Sequence, residues 1–178
     1  MQNNYLGLDI GGANVKAIAL GQNNGELQLS SDITEYFPFW ERKPDFASFL
    51  REKIASAVEE NPVVGVTMTA ELSDCFNTKA EGVEFICSAV DEVFPGSLYY
   101  TVSGQLINRE KAEKKWMEVS AANWHASALL CGDKYPDSLF IDMGSTTTDI
   151  IPIINGIPVT TGKDDVNRLI SGELLYTG

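Results

Sequence analysis

Positive charge, histidine and cysteine are scarce in this 178-residue chain, and each shortage excludes something. Lys and Arg total 13 against 25 Asp and Glu, a formal net charge of −12. A field of that sign repels phosphate backbones, which removes nucleic acid from the expected partners. The one basic cluster, REKAEKK at 109–115, is interleaved with glutamates as on a solvated helix face. A lone His125 and three scattered cysteines, Cys75, Cys87 and Cys131, compose no familiar zinc set, and no CxxC spacing occurs. Such thiols read as reduced, and Cys87 falls at the core spacing of a helix. No run approaches the ~20 apolar residues of a membrane span, and the start, MQNNYLG, has no basic n-region. The expected location is the cytoplasm, with no membrane partner.

What the chain does have is alternation of strand and helix signals. Tyr5–Ile10 and Val15–Leu20 read as strands around a Gly11-Gly12 turn, and a third strand falls within Leu27–Tyr36. Residues 45–60 carry Phe46, Phe49, Leu50, Ile54, Ala57 and Val58 at helical spacing. The β-branched run at 63–69 predicts a strand covered on both faces. Thr78 and Glu81 form a capping-box pattern ahead of a helix that stops at Pro95-Gly96. A strand at 98–102 and one long helix at 109–131 follow, with Trp116 and Trp124 as core anchors and His125 as a packed helix residue. DKYPDS at 133–138 reads as a linker. This order predicts an α/β fold with a mixed sheet and helices on both faces.

A shift of 133 residues aligns LGLDIGGANVKAIAL with LFIDMGSTTTDIIPI without gaps. Leu6 falls on Leu139, Asp9 on Asp142 and Gly11 on Gly144, and each copy carries an Asn-Gly turn, Asn24-Gly25 and Asn155-Gly156. The chain begins the same fold twice. Glycine at such turns lets backbone N–H groups approach an anion, and the hydroxyls of Ser145, Thr146 and Thr147 supply further donors. Asp9 and Asp142, one from each copy, are the expected magnesium ligands, and Lys16 the partner of a further phosphate charge. The plainer alternative is that each DxG is a hairpin with a capped turn.

The repeat resembles the actin, sugar kinase and Hsp70 ATPase superfamily, in which two ribonuclease-H-like domains present phosphate loops to one cleft. DIGGANVK resembles the first phosphate motif and DMGSTTTD the second. VTMTAELSD, FNTKAEGVEFICSAV, AANWHASA and GELLYTG, in this order with those motifs, resemble a hydantoinase/oxoprolinase-like family tied to tetrahydromethanopterin-linked one-carbon metabolism. That resemblance implies a first ribonuclease-H-like domain at 1–137 and the opening hairpins of a second at 138–178. It implies a methanofuran-type condensation, in which a furanmethanol diphosphate is joined to γ-glutamyltyramine with release of diphosphate. Family members continue past this point, so a fragment, a truncated reading frame, a complementing subunit or a homo-oligomer is the expected context. ATP is a possible ligand, although the adenosine-binding segment of the superfamily has no counterpart in the chain.

Under that resemblance Asp9, Gly11, Gly12, Asn14, Lys16, Asp142, Gly144, Ser145, Thr146 and Thr147 hold magnesium diphosphate. TAELSD follows a predicted strand and opens at the carboxyl ends of the sheet, where α/β folds place ligands. Glu71 and Asp74 are therefore the expected base or amine-binding groups, although Ser73 or Asp74 also suits a simple cap. Lys79 falls on the helix surface or in the cleft. Two other functions fit the same loops: a small-molecule kinase or ATPase, distinguished by nucleotide consumption, and an inactive subunit, distinguished by complex formation without turnover.

Overall fold

The computed structural model describes residues 4–23, 25–58, 61–144 and 147–177. The repeat is visible at once, as two sheets that each open with an antiparallel hairpin. In the first, β1 (Asn4–Ile10) is flanked by β2 (Asn14–Asn23) and β4 (Val63–Met68). Next to these lie β3 (Glu26–Tyr36), β5 (Leu98–Tyr100) and β6 (Leu106–Asn108), in the order β3-β2-β1-β4-β5-β6. The β1–β4 and β4–β5 pairs are parallel and the rest antiparallel. Strand β6 was not expected: at three residues it is too short to show alternation.

Alternation in β1 sends Leu6, Leu8 and Ile10 into the core and leaves Gly7 and Asp9 on the opposite face. The covered face carries Phe37, Phe39, Phe46 and Phe49, whose neighbouring ring centroids lie 4.6–6.3 Å apart. These come from α1 (Phe39–Arg42), α2 (Phe46–Phe49) and the chain before them. The expected single helix over 45–60 is instead a series of short turns, with a π-helical turn at Leu50–Ile54. Its apolar positions are nonetheless buried as far as Ile54, with Phe46, Leu50 and Ile54 fully enclosed, whereas Ala57 is exposed. Helix α3 (Lys79–Val93) covers the same face, and Thr78 Oγ1 accepts from Glu81 N at 3.1 Å, as the capping pattern predicts. Glu81 reaches back one residue further than expected, to Asn77 N at 3.0 Å.

The long helix expected at 109–131 is three helices: α4 (Arg109–Lys114), α5 (Trp116–Val119) and α6 (Asn123–Lys134). The break at Ser120–Ala122 has a tertiary cause. Ser120 is extended and bridges Met68 in the parallel sense, and Ala121 sits at φ 48°. Helical periodicity continues across that break, so the sequence pattern hides it.

The second sheet has the order β10-β8-β7, from β7 (Ser138–Met143), β8 (Thr147–Ile154) and β10 (Leu174–Tyr176), with β9 (Ile157–Pro158) on the far end of β8. Asn155 and Gly156 both have positive φ in the two-residue β8–β9 turn, as an Asn-Gly hairpin requires. Helix α7 (Asp165–Ser171) precedes β10. Helix α6 packs on this sheet, burying Trp124 and Ala128 with Ile151 and Ile153. No helix among the described residues is long and apolar enough to cross a membrane.

Candidate functional site

The two turns of the repeat close in the same way. Gly11 N donates to Asn14 O at 2.9 Å, and Gly144 N donates to Thr147 O at 2.8 Å. Both glycine amides are thereby committed to their own turns and not presented to a ligand. Gly12 lies against the TAELSD loop, where a Cβ would stand 2.9 Å from Ser73 Oγ. Gly11 approaches Thr69 in the same manner, with Thr69 Oγ1 3.8 Å from the position of a Cβ. Ser145 and Thr146 lie outside the described residues.

Asp9 sits on the uncovered face of the first sheet, and this explains its tolerance inside an apolar strand. Its neighbours across the strands are Lys16 and Thr67. Thr67 Oγ1 donates to Asp9 Oδ1 at 3.0 Å, and Lys16 Nζ stands 3.8 Å from Oδ2. The three line an open cavity of about 380 Å³ floored by Gly7 and Gly65.

Asp142 lines a different cavity, a cleft of about 310 Å³ between the sheets. One wall carries Thr69, Leu72, Ala121 and Asn123, and the other Asp142, Gly144, Thr147, Asp149 and Arg168. Asp149 faces Asp142 across the β7–β8 hairpin, at the position that Lys16 holds opposite Asp9. Burial pushes the Asp149 carboxyl up, and Arg168 opposes that shift. Arg168 is enclosed: Nη1 donates to Asp149 Oδ1 at 2.8 Å, Nη2 to Glu173 O at 3.1 Å, and the guanidinium lies 4.0 Å over the Trp124 ring. Asp149, Arg168 and Asn123 were not anticipated. Asp149 was legible, since it is the last residue of DMGSTTTD and sits opposite Asp142 in any two-stranded hairpin. Arg168, on a seven-residue helix, gives no such signal.

Asp9 and Asp142 therefore do not converge, and among the described residues no group of three His, Cys, Asp or Glu side chains could hold a metal ion. An ion shared by Asp9 and Asp142 would have to be reached from two separate cavities.

Glu71 corrects the expectation of an accessible base. It is 2% exposed, on the one-turn helix Ala70–Leu72 that follows β4. Its Oε1 accepts from Ser120 Oγ at 2.6 Å and from Ala121 N at 2.8 Å, while Oε2 is buried without a partner. Burial raises its pKa above the ordinary carboxylate range. Asp74 is exposed. Lys79 pairs with Asp165 at 3.0 Å, joining α3 to α7. His125 is buried and bonds Tyr100 Oη through Nδ1 at 2.9 Å, as a packed residue does. Burial also lowers its pKa and pushes the Cys87 thiol up to about 12.

The sequence profile of the hydantoinase/oxoprolinase family matches residues 63–175, well over half of the chain. The chain belongs to the hydantoinase/oxoprolinase family. Within that family it is 39% identical over 175 residues to the (4-{4-[2-(gamma-L-glutamylamino)ethyl]phenoxymethyl}furan-2-yl)methanamine synthase of Methanocaldococcus jannaschii. The match covers 97% of this chain and 50% of that relative, so the chain spans half the relative's length. The synthase of the same name from Methanococcus vannielii is 55% identical over 40 residues, 22% of this chain and 18% of that one. Among solved structures, the Ppx/GppA enzyme of Aquifex aeolicus superposes with a TM-score of 0.51 at 13% identity, over 90% of this chain and 51% of that one. An exopolyphosphatase from Cytophaga hutchinsonii gives 0.51 at 14% identity, over 96% and 53%. At such identities the likeness is one of fold, and it is the actin-like ATPase fold that the repeat predicts.

Proposed function

We propose that this hydantoinase/oxoprolinase-family chain serves the condensation that builds a phenoxymethylfuran methanamine, joining a furanmethanol diphosphate to γ-glutamyltyramine. The observation that carries the proposal is the 39% identity to the methanamine synthase along 97% of the chain. In that reaction the phenol oxygen of the tyramine loses its proton and attacks the furanmethyl carbon. The bond from that carbon to the diphosphate oxygen breaks, and its electron pair leaves with diphosphate. The protein's part is to hold both reactants in line, take up the phenol proton and exclude water.

The cleft between the sheets supports this reading, because it joins a hydroxyl-bearing wall to a strongly acidic one. Thr69, Asn123 and Thr147 supply donors for phosphate oxygens, and Asp142, more exposed than Asp149, is the carboxylate placed to accept a proton or hold an ammonium. Asp9, Lys16 and Asn14 support the first turn from the neighbouring strand pair. No step is assigned to magnesium.

The test is mass spectrometry of the chain incubated with furanmethanol diphosphate and γ-glutamyltyramine, without ATP and with or without magnesium. The expected result is the ether-linked product with an equivalent of diphosphate. Absence of that product, with ATP consumed and a phosphorylated product formed in a second incubation that contains ATP, would replace this reading with a kinase.

A further inference from the structure

We propose that Glu71 is a positioning residue, a proton-bearing strut that fixes one wall of the cleft, and not a base. The inference rests on the cleft reading above only for its consequence; the geometry stands alone.

Glu71 lies between two residues of that wall, Thr69 and Leu72. Its Oε1 binds the break between α5 and α6, immediately before two more wall residues, Asn123 and Trp124. One carboxyl oxygen thus holds together the two chain segments that form the wall. The backbone it holds is strained: Ala121 occupies the left-handed region at φ 48°, where a residue with a Cβ rests only if its surroundings hold it. The other side of Glu71 is closed by Gly82 of α3, where a Cβ would stand 2.7 Å from Glu71 Cα.

The charge state follows from what faces the group. Ser120, Ala121 and Gly82 are uncharged. Lys79 is the charged group that acts on Glu71, and it is already paired with Asp165. Among the described residues Oε2 has no donor to it. A carboxylate enclosed with one oxygen bare is expensive, whereas a carboxylic acid leaves only a neutral hydroxyl to accommodate. The neutral form is the one this enclosure favours, and a neutral amide of the same shape should replace it.

The experiment needs no substrate. The side-chain carboxyl carbon of Glu71 is followed by NMR in chain carrying ¹³C-labelled glutamate, assigned by its disappearance in Glu71→Gln. The expected signal remains at the protonated position when the exposed glutamates have titrated near pH ~4.3. Melting of Glu71→Gln should match wild type at acidic pH, while Glu71→Ala shifts the unfolding equilibrium by about tenfold or more for the lost buried bonds. A Glu71 signal that titrates with the exposed glutamates overturns the proposal. So does a Glu71→Gln chain that melts as low as Glu71→Ala. If Glu71→Ala does not fold, the signal and the Gln variant still decide. Absence of condensation in every chain would count against the proposed function and leave these two readouts unaffected.

Discussion

Ala121 donates its backbone N–H to Glu71 Oε1 at 2.8 Å while held at φ 48°, so a strained alanine and a buried acid depend on each other. Removing the strain should raise stability without disturbing the bond. Ala121→Gly is expected to stabilise the chain by up to ~1 kcal/mol, read as a higher denaturant midpoint at unchanged slope.

The acid gives this site a pH dependence of known sign. The folded chain holds the Glu71 proton more tightly than the unfolded chain does, because burial raises the folded pKa. Its stabilising contribution is complete below the unfolded value of about 4.3 and declines as pH rises through the raised folded value, by up to ~1.4 kcal/mol per unit. Asp149 shifts in the same direction, chiefly through burial, so the wild-type curve contains both groups. The difference between wild type and Glu71→Gln isolates Glu71, and it should widen toward alkaline pH in chemical denaturation series.

Arg168 should be costly to truncate. Its removal leaves Asp149 half-buried without its partner and empties the space over Trp124. Arg168→Ala is expected to lose ~3–5 kcal/mol. The double variant Arg168→Met with Asp149→Leu should lose clearly less, since no charge is then stranded; urea denaturation of both chains measures the contrast.

Asp9→Asn separates support from stability. The Lys16 partner is 61% exposed, so the pair is worth under ~1 kcal/mol and melting should scarcely move. Turnover in the condensation assay should fall sharply. Unchanged turnover would show that the first turn needs no support from Asp9.

Strand β7 ends the second sheet and exposes Leu139, Ile141 and Met143 at 57%, 54% and 75%. An apolar edge of this kind favours pairing with other chains. Ile141→Lys should reduce self-association, measured by sedimentation across a concentration series, with little effect on melting.

The fold was legible where a local pattern and its tertiary outcome agree. Both hairpins of the repeat, the α3 cap at Thr78 and the Asn155-Gly156 turn follow from short-range rules, and the structure has them. The α5–α6 break was hidden because no Pro or Gly interrupts 109–131, while the cause, a bridge from Ser120 to Met68, is 52 residues distant in the chain. The site was legible to the same extent. Asp142, Gly144 and Thr147 line the cleft, but Asp9 turned to another face, because the parity of β1 that buries Leu8 and Ile10 dictates it. Glu71 read as a base because its loop lies at the carboxyl end of β4; only the packing of Gly82 and Ser120 shows that it is sealed.

The matched turns at Gly11 and Gly144 carry one more consequence. They close with the same hydrogen bond and share a strand register, yet one copy sets a carboxylate opposite an ammonium and the other sets two carboxylates opposite each other. The opening hairpins pair alike, while their charge is lopsided. Neither copy can stand in for the other: a lysine at 149, which the first copy would accept, would place a like charge against the enclosed Arg168. Duplication supplied the scaffold twice, and a single register position gave the molecule a direction.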